Sequence, residues 1–227
     1  MSPLRSRAYS AMPTLNNFIL RRTDLPPAEL DWLLAHARPR FLPRGGVFCT
    51  IGQAEHEIGF LDEGILQVFA LSPDGRKILL DFIFTGGVAL ALDSATKGLP
   101  SEVVFEAVLP CRLTVLPYHL RHAAVERHAG WERLATRTTE EMFQRKQQRH
   151  MSLRSKTARQ RYAELSCELP EAWRSIPQHL IAAYLDITPQ YLSTLKQRAE
   201  REIRTEKVSA RARAAGLLVS PGEDVGR

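Results

Sequence analysis

The chain has 227 residues, of which 44% are hydrophobic and 25% charged, as expected for a soluble globular protein of one or two domains. Cys49, Cys111 and Cys167 form no CxxC pair, which argues against a zinc ribbon, a cysteine-ligated iron–sulfur cluster or a disulfide framework. The first thirteen residues lack the apolar core of a signal peptide, and no apolar run reaches about 18 residues. We therefore expect a cytoplasmic protein.

The net charge of +6 is unevenly distributed along the chain. Residues 1–120 carry 11 Lys/Arg and 12 Asp/Glu, a net charge of −1, whereas residues 121–227 carry 20 and 13, a net charge of +7. A basic half joined to a near-neutral half is expected when one module binds a polyanion such as nucleic acid. A basic surface that serves only solubility is the alternative.

The first half of the chain carries the pattern of a small β-barrel. Residues 1–14 are small and polar and are expected to be disordered. A helical pattern starts at Leu15, and a second predicted helix, with Asp24 as its N-cap, runs to about Ala37. Strands are then predicted within 41–48 around a turn, and at 58–61, 65–71, 77–82, 103–108 and 112–116. Such short, evenly spaced strands predict a β-barrel or jelly roll over residues 15–118.

These elements resemble the cyclic-AMP receptor protein/FNR (Crp/Fnr) family of bacterial regulators. The resemblance covers roughly residues 16–118 and is carried by Gly45, Gly52, Gly64, Pro73-Asp74-Gly75-Arg76, Phe84-Thr85-Gly86-Gly87 and Ala107. It implies an α+β fold with an N-terminal antiparallel β-barrel or jelly roll as sensor domain. A long dimerisation helix and a C-terminal all-α helix-turn-helix domain would follow. The resemblance also implies a dimeric transcription regulator.

The effector pocket departs from the family's pattern. Members that bind cyclic nucleotides use a Gly-Glu pair for the ribose and an Arg-Ser pair for the phosphate. Aligning Ala107 with the family's alanine puts Leu90 and Ala91 at the first pair and Ser101 and Glu102 at the second. A carboxylate facing a phosphate is unfavourable by at least about 1 kcal/mol even in water. We expect no cyclic-AMP binding; the apolar loop either lines a pocket for a less charged effector or fills the barrel.

The middle of the chain is predicted to be helical. Residues 119–153 contain no proline and a single glycine, Gly130, and by resemblance they form the dimerisation helix. Ser155 is the predicted N-cap of a second helix. Residues 144–161 hold seven Lys/Arg and no acid, which fits either a solvated face or contact with a phosphate backbone.

Residues 176–196, within a predicted domain at 154–215, have the pattern of a helix-turn-helix. A short helix opened by Pro177 is followed by Asp186, which tolerates the left-handed geometry that a tight turn needs. Thr188 is the predicted N-cap of a second helix, with Pro189 in its first turn. This order closely resembles the family's DNA-binding motif, whose second helix enters the major groove.

The motif's geometry assigns candidate DNA contacts on the second helix. Gln190 can pair bidentately with adenine, but many relatives carry Glu and Arg where this chain has Gln190 and Thr194, so the target sequence cannot be transferred. The basic stretch 197–214 shows no winged hairpin and is either an extension of the recognition helix or another helix; 216–227 reads as a flexible tail. The candidates are Gln190, Tyr191, Ser193 and Thr194 for bases and Thr188, Lys196 and Arg198 for phosphates.

The sequence offers little support for an enzyme or for a metal site. No GxxxxGK, GxSxG or HExxH motif is present, so no enzyme is expected. His119, His122 and His128 lack further ligands at matching positions, so no metal or cofactor is expected. The expected partners are double-stranded DNA and a second copy, with RNA polymerase as a further candidate. The alternatives are a cyclic-nucleotide-responsive activator and an interaction adaptor that no longer reads DNA.

Overall fold

The computed structural model describes residues 13–168, 174–199 and 201 of the chain. Each predicted strand is present. Of the stretch 1–14 that was predicted to be disordered, Pro13 and Thr14 belong to the first helix, and residues 1–12, like 216–227, lie outside the described residues. The N-cap position of the second helix is Pro26, which makes no side-chain cap, so the predicted N-cap Asp24 is wrong. The helices and strands are α1 (Pro13–Leu20), α2 (Pro27–His36), β1 (Arg38–Leu42), β2 (Val47–Cys49), β3 (Glu57–Glu63), β4 (Ile65–Leu71), β5 (Lys77–Phe84), β6 (Val88–Ala89), α3 (Leu92–Lys97), β7 (Val104–Ala107), β8 (Cys111–Pro117), α4 (Leu120–Arg127), α5 (Gly130–Ser155), α6 (Ala158–Glu168), α7 (Gln178–Tyr184) and α8 (189–199).

The strands form two four-stranded antiparallel sheets that share one apolar core. The first sheet has the order β1-β8-β3-β6 and the second β2-β7-β4-β5. Leu61 and Val115 of the first sheet and Leu66 and Phe105 of the second are buried in the core between them. This double-sheet arrangement is a jelly roll and confirms the predicted fold class.

Both sheets are also covered on their outer faces, because successive side chains of a strand point to opposite sides. On the first sheet, Phe60 and Leu116 pack into a second core with α1, α2 and the start of α5. On the second sheet, Ile65 and Phe82 pack into a third core with residues of the C-terminal helices. The barrel is therefore the middle layer of the molecule.

A buried carboxylate fixes the N-terminal helices to the start of α5. Glu29 accepts hydrogen bonds from Trp131 Nε1 at 2.9 Å and from Arg127 Nε and Nη2 at 3.1 and 2.9 Å. These hydrogen bonds, that of Trp131 first, hold the pKa of Glu29 below its usual value. The ring of Trp32 stacks edge-on against Trp131, with 6.1 Å between the ring centroids.

The predicted helical stretch 119–153 is divided into two helices. α4 ends at Arg127, His128 is extended with φ −157°, and α5 begins at Gly130. The Gly130 amide donates to His128 Nδ1 at 3.0 Å, and Thr23 Oγ1 donates to the Gly130 carbonyl at 3.2 Å. Tertiary contacts thus place Gly130 at a helix start, where the sequence pattern had placed it inside a continuous helix.

The junction between α5 and α6 corrects the predicted N-cap. Ser155 still belongs to α5, where its hydroxyl donates to the Met151 carbonyl at 2.7 Å. The cap is Thr157: its amide donates to Gln160 Oε1 at 2.8 Å, and the Gln160 amide donates to Thr157 Oγ1 at 3.3 Å. This reciprocal pair is a capping box, which satisfies two amides that the helix leaves unpaired.

The two cysteines whose side chains are described behave as core residues. Cys49 and Cys111 are free thiols buried in the barrel. Burial raises the pKa of the Cys111 thiol to about 11, so that it stays protonated at neutral pH. Within the described ranges, no helix combines the length and the apolar character needed to cross a bilayer.

Candidate nucleic-acid interface and barrel cavity

The turn between α7 and α8 has the geometry predicted from Asp186. Asp186 adopts φ +54°, the one positive φ of a non-glycine residue among those described. Its amide donates to the Ala183 carbonyl at 3.1 Å, and the Ile187 amide donates to the Ala182 carbonyl at 3.0 Å. This pair of bonds is a Schellman motif, which ends α7 and sends the chain sharply into the next helix.

The start of α8 confirms the predicted cap. Thr188 Oγ1 accepts a hydrogen bond from the Tyr191 amide at 3.2 Å, and Pro189 occupies the first turn. The helix continues without a break to residue 199. The predicted basic stretch 197–214 is therefore helical at its start, and most of it lies outside the described residues.

One face of α8 is buried and the opposite face is exposed. Leu192 and Leu195 are buried, whereas Lys196, beside that face, is half-buried. At about 100° per residue, four of the seven candidate contacts fall within an arc of about 100° on the exposed face. These four are Gln190, Tyr191, Thr194 and Arg198, and Thr188 and Ser193 are exposed as well.

The helix-turn-helix packs directly against the barrel, which the sequence did not indicate. Its buried Ile181, Leu185 and Leu192 share a core with Ile65 and Phe82 of the second sheet. The ring centroids of Phe82 and Tyr184 are 5.3 Å apart. The third core therefore joins the two modules within one chain.

Three arginines of the basic run 144–161 bond backbone carbonyls inside the protein. Arg145 Nη2 donates to the Phe82 carbonyl at 2.8 Å. Arg149 donates from Nε to the Leu80 carbonyl and from Nη2 to the Tyr184 carbonyl, both at 2.8 Å. Arg161 Nη2 donates to the Leu185 carbonyl at 2.7 Å. These arginines join elements of the fold, a role that neither of the two sequence interpretations included.

The four candidate effector residues all line one open groove between the barrel and α5, with a volume of about 2120 Å³. Leu90 is half-buried, Ala91 is part of the barrel core and Glu102 is exposed. Ser101 is buried, and its hydroxyl donates to the Val103 carbonyl at 2.9 Å and accepts from the Val103 amide at 3.2 Å. Ser101 thus stabilises the conformation of its own loop.

The loop between these two pairs contains a helix that was not predicted. The apolar run from Val88 continues into α3, which ends at Lys97 and is followed by Gly98 in the left-handed conformation with φ +68°. Ser94 on this helix accepts a hydrogen bond from the Glu55 amide at 2.6 Å. Among the described residues, no group of three or more His, Cys, Asp or Glu side chains is placed to hold a metal ion.

A jelly roll, a long helix and a C-terminal helix-turn-helix in this order constitute the Crp/Fnr fold, and comparison with solved structures shows that this chain has it. Its sequence matches no protein-family model and no curated protein.

Three similar structures illustrate the match. FixK2 from Bradyrhizobium japonicum has a TM-score of 0.61 at 16% identity, covering 82% of this chain and 89% of that chain. The c-di-GMP responsive global regulator CLP from Xanthomonas campestris has a TM-score of 0.60 at 13% identity, covering 87% and 96%. A protein assigned to the Crp/Fnr transcriptional regulators, from Eubacterium rectale, has a TM-score of 0.59 at 18% identity, covering 79% and 85%.

Proposed function

We propose that the chain is a dimeric DNA-binding transcription regulator of the Crp/Fnr type. The observation that carries the proposal is the exposed arc of α8, which contains Gln190, Tyr191, Thr194 and Arg198. On the opposite face of the helix, Leu192 and Leu195 are buried. The net charge of +7 in residues 121–227 supplies the attraction to a phosphate backbone. The proposal places the protein in the cytoplasm, with RNA polymerase as a candidate second partner.

The dimer would form along the distal part of α5. Trp131 and Leu134, at its start, are buried against the chain's own barrel. Farther along, Phe143 is 66% exposed and Met151 56% exposed. At about 100° per residue their positions differ by about 80°, so both lie toward one side of α5. Exposed large apolar side chains are typical of a protein interface. A second copy of the chain packed along α5 would cover them.

The test is selection from genomic DNA. Purified protein without added ligand is mixed with pooled fragments at two salt concentrations, and the bound fragments are sequenced. A dimeric regulator should enrich a pseudo-palindromic site with half-sites about one helical turn apart. Weak binding that falls steeply with salt and enriches no sequence would contradict the proposal, because it would reflect backbone contact alone.

Gln190→Ala is expected to relax base preference at one position of each half-site, because Gln190 is exposed at the start of α8 and can pair bidentately with adenine. The expected loss of affinity for the selected site is about 1–3 kcal/mol. The measurement is DNA titration of both proteins against the selected site and a random duplex. Equal losses on the two duplexes would remove Gln190 from base reading.

We further propose that the barrel does not sense cyclic AMP. In the alignment with the family, Leu90 and Ala91 replace the pair that contacts the ribose, and Glu102 falls in the pair that holds the phosphate. All three residues line the groove, and the carboxylate of Glu102 is exposed. Calorimetric titration with cyclic AMP should give no binding at micromolar concentrations. A member of the family that binds cyclic AMP, titrated in the same way, is the positive control. Micromolar affinity would favour a cyclic-nucleotide-responsive activator instead.

A further inference from the structure

The third core packs the helix-turn-helix against the barrel, and among the described residues none of its members belongs to α5. Arginine side chains supply the hydrogen bonds between α5 and the helix-turn-helix. Because the donors of a guanidinium form a rigid planar fork, such hydrogen bonds have a direction and can set the angle between these elements.

Of these arginines, Arg149 contacts both modules from the helix between them. One edge of its guanidinium bonds the Leu80 carbonyl of β5, and another bonds the Tyr184 carbonyl, each at 2.8 Å. The guanidinium also lies over the Tyr184 ring, with its central carbon 3.5 Å from the ring centroid. Tyr184 is the last residue of α7, where helix carbonyls lack partners and a positive charge is favourable.

Neither neighbouring arginine bonds both the barrel and the helix-turn-helix. Arg145, one turn earlier on α5, bonds Asp81 and the Phe82 carbonyl of β5. Arg161, on α6, bonds the carbonyls of Leu153 and Lys156 and that of Leu185, and so joins α5 to the helix-turn-helix with no hydrogen bond to the barrel. Arg149 thus bonds the barrel and the DNA-binding module at the same time.

We propose that Arg149 is a positioning residue that sets the angle of the helix-turn-helix relative to α5, and so selects the spacing between DNA half-sites. The step from angle to spacing rests on the proposed dimeric DNA binding, since two recognition helices held by paired α5 helices reach major grooves at a fixed separation. The exposed arc of α8 does not take part in the contact, because its residues lie on the face away from the barrel.

The orientation is measured first without DNA. Spin labels are attached to Arg133→Cys, an exposed position on α5, and to Ser193→Cys on α8, with Cys167 replaced by alanine. Labelled protein is diluted into an excess of unlabelled protein, so that only distances within one chain are recorded. We expect a narrow distance distribution for the reference protein and for the matched control Arg145→Met, and a broad one for Arg149→Met. An equally narrow distribution in Arg149→Met, folded by circular dichroism, would overturn the proposal.

The second measurement uses pairs of the selected half-site with spacings changed one base pair at a time. In Arg149→Met the ratio of affinities between the best spacing and one two base pairs longer should fall about tenfold, and in Arg145→Met it should stay within about twofold. Arg149→Lys keeps the positive charge but loses the planar set of guanidinium donors, so it should behave like Arg149→Met. If Arg149→Met does not fold, Arg149→Lys replaces it in both measurements. An unchanged ratio would refute the link to spacing. If the unaltered protein selects no site, the proposed function fails, and the labels still report whether Arg149 sets the angle.

Discussion

Phe82→Ala is expected to lower the free energy of unfolding by about 3–5 kcal/mol. Phe82 has 0% of its surface exposed and lies between the second sheet and the helix-turn-helix, so its removal leaves a cavity lined by both modules. Denaturant unfolding followed by far-ultraviolet circular dichroism measures the change. The control is Phe41→Ala: Phe41 is 68% exposed on β1, and its loss should cost no more than about 0.5 kcal/mol. Equal effects of the two substitutions would mean that the third core is not formed in solution.

Gly64→Ala is expected to destabilise the barrel by about 3 kcal/mol or more. Gly64 joins β3 to β4 with φ +105°, and an added Cβ would lie 2.5 Å from the Pro110 carbonyl oxygen and 2.9 Å from Cys111 Cα. Because these atoms are backbone, they cannot rotate away. Thermal and denaturant unfolding of the variant give the measurement.

Gly75→Ala, in the β4–β5 turn, separates the steric clash of the added Cβ from the conformational penalty of a positive φ. Gly75 also has a positive φ, +80°, but an added Cβ would have nothing within 4 Å. Only the conformational penalty of about 1–2 kcal/mol should remain. If Gly64→Ala lowered the free energy of unfolding no more than Gly75→Ala does, the steric clash at Gly64 would be contradicted.

Local signals in the sequence predicted most of the barrel and the helix-turn-helix. The β4–β5 hairpin was identified from Pro73-Asp74-Gly75, because the residues that make a tight turn are adjacent in the chain. Asp186 and Thr188 were identified for the same reason: a left-handed turn position and a helix cap depend on their immediate neighbours. Such features need no knowledge of distant contacts.

The features that were missed depend on partners distant in the sequence. The break before Gly130 is stabilised by Thr23, more than a hundred residues earlier. Helix α3 is only six residues long, too short for an apolar period to appear. The arginines of the run 144–161 could not be assigned because their acceptors are backbone carbonyls, which every residue carries. The contact between Phe82 and Tyr184 left no local signal either.

The shared third core bears on what happens when the chain is cut between its modules. A chain ending at Ser155 would keep both sheets and α5 but would lose the helices that cover Ile65, Phe82 and Val108. These three side chains are almost completely buried in the whole protein and would form a contiguous apolar patch on the shortened one. Water-exposed patches of this kind promote self-association. The isolated barrel half is therefore expected to aggregate under conditions that leave the full chain dispersed, and polar substitutions on the outer face of β5 should restore its solubility.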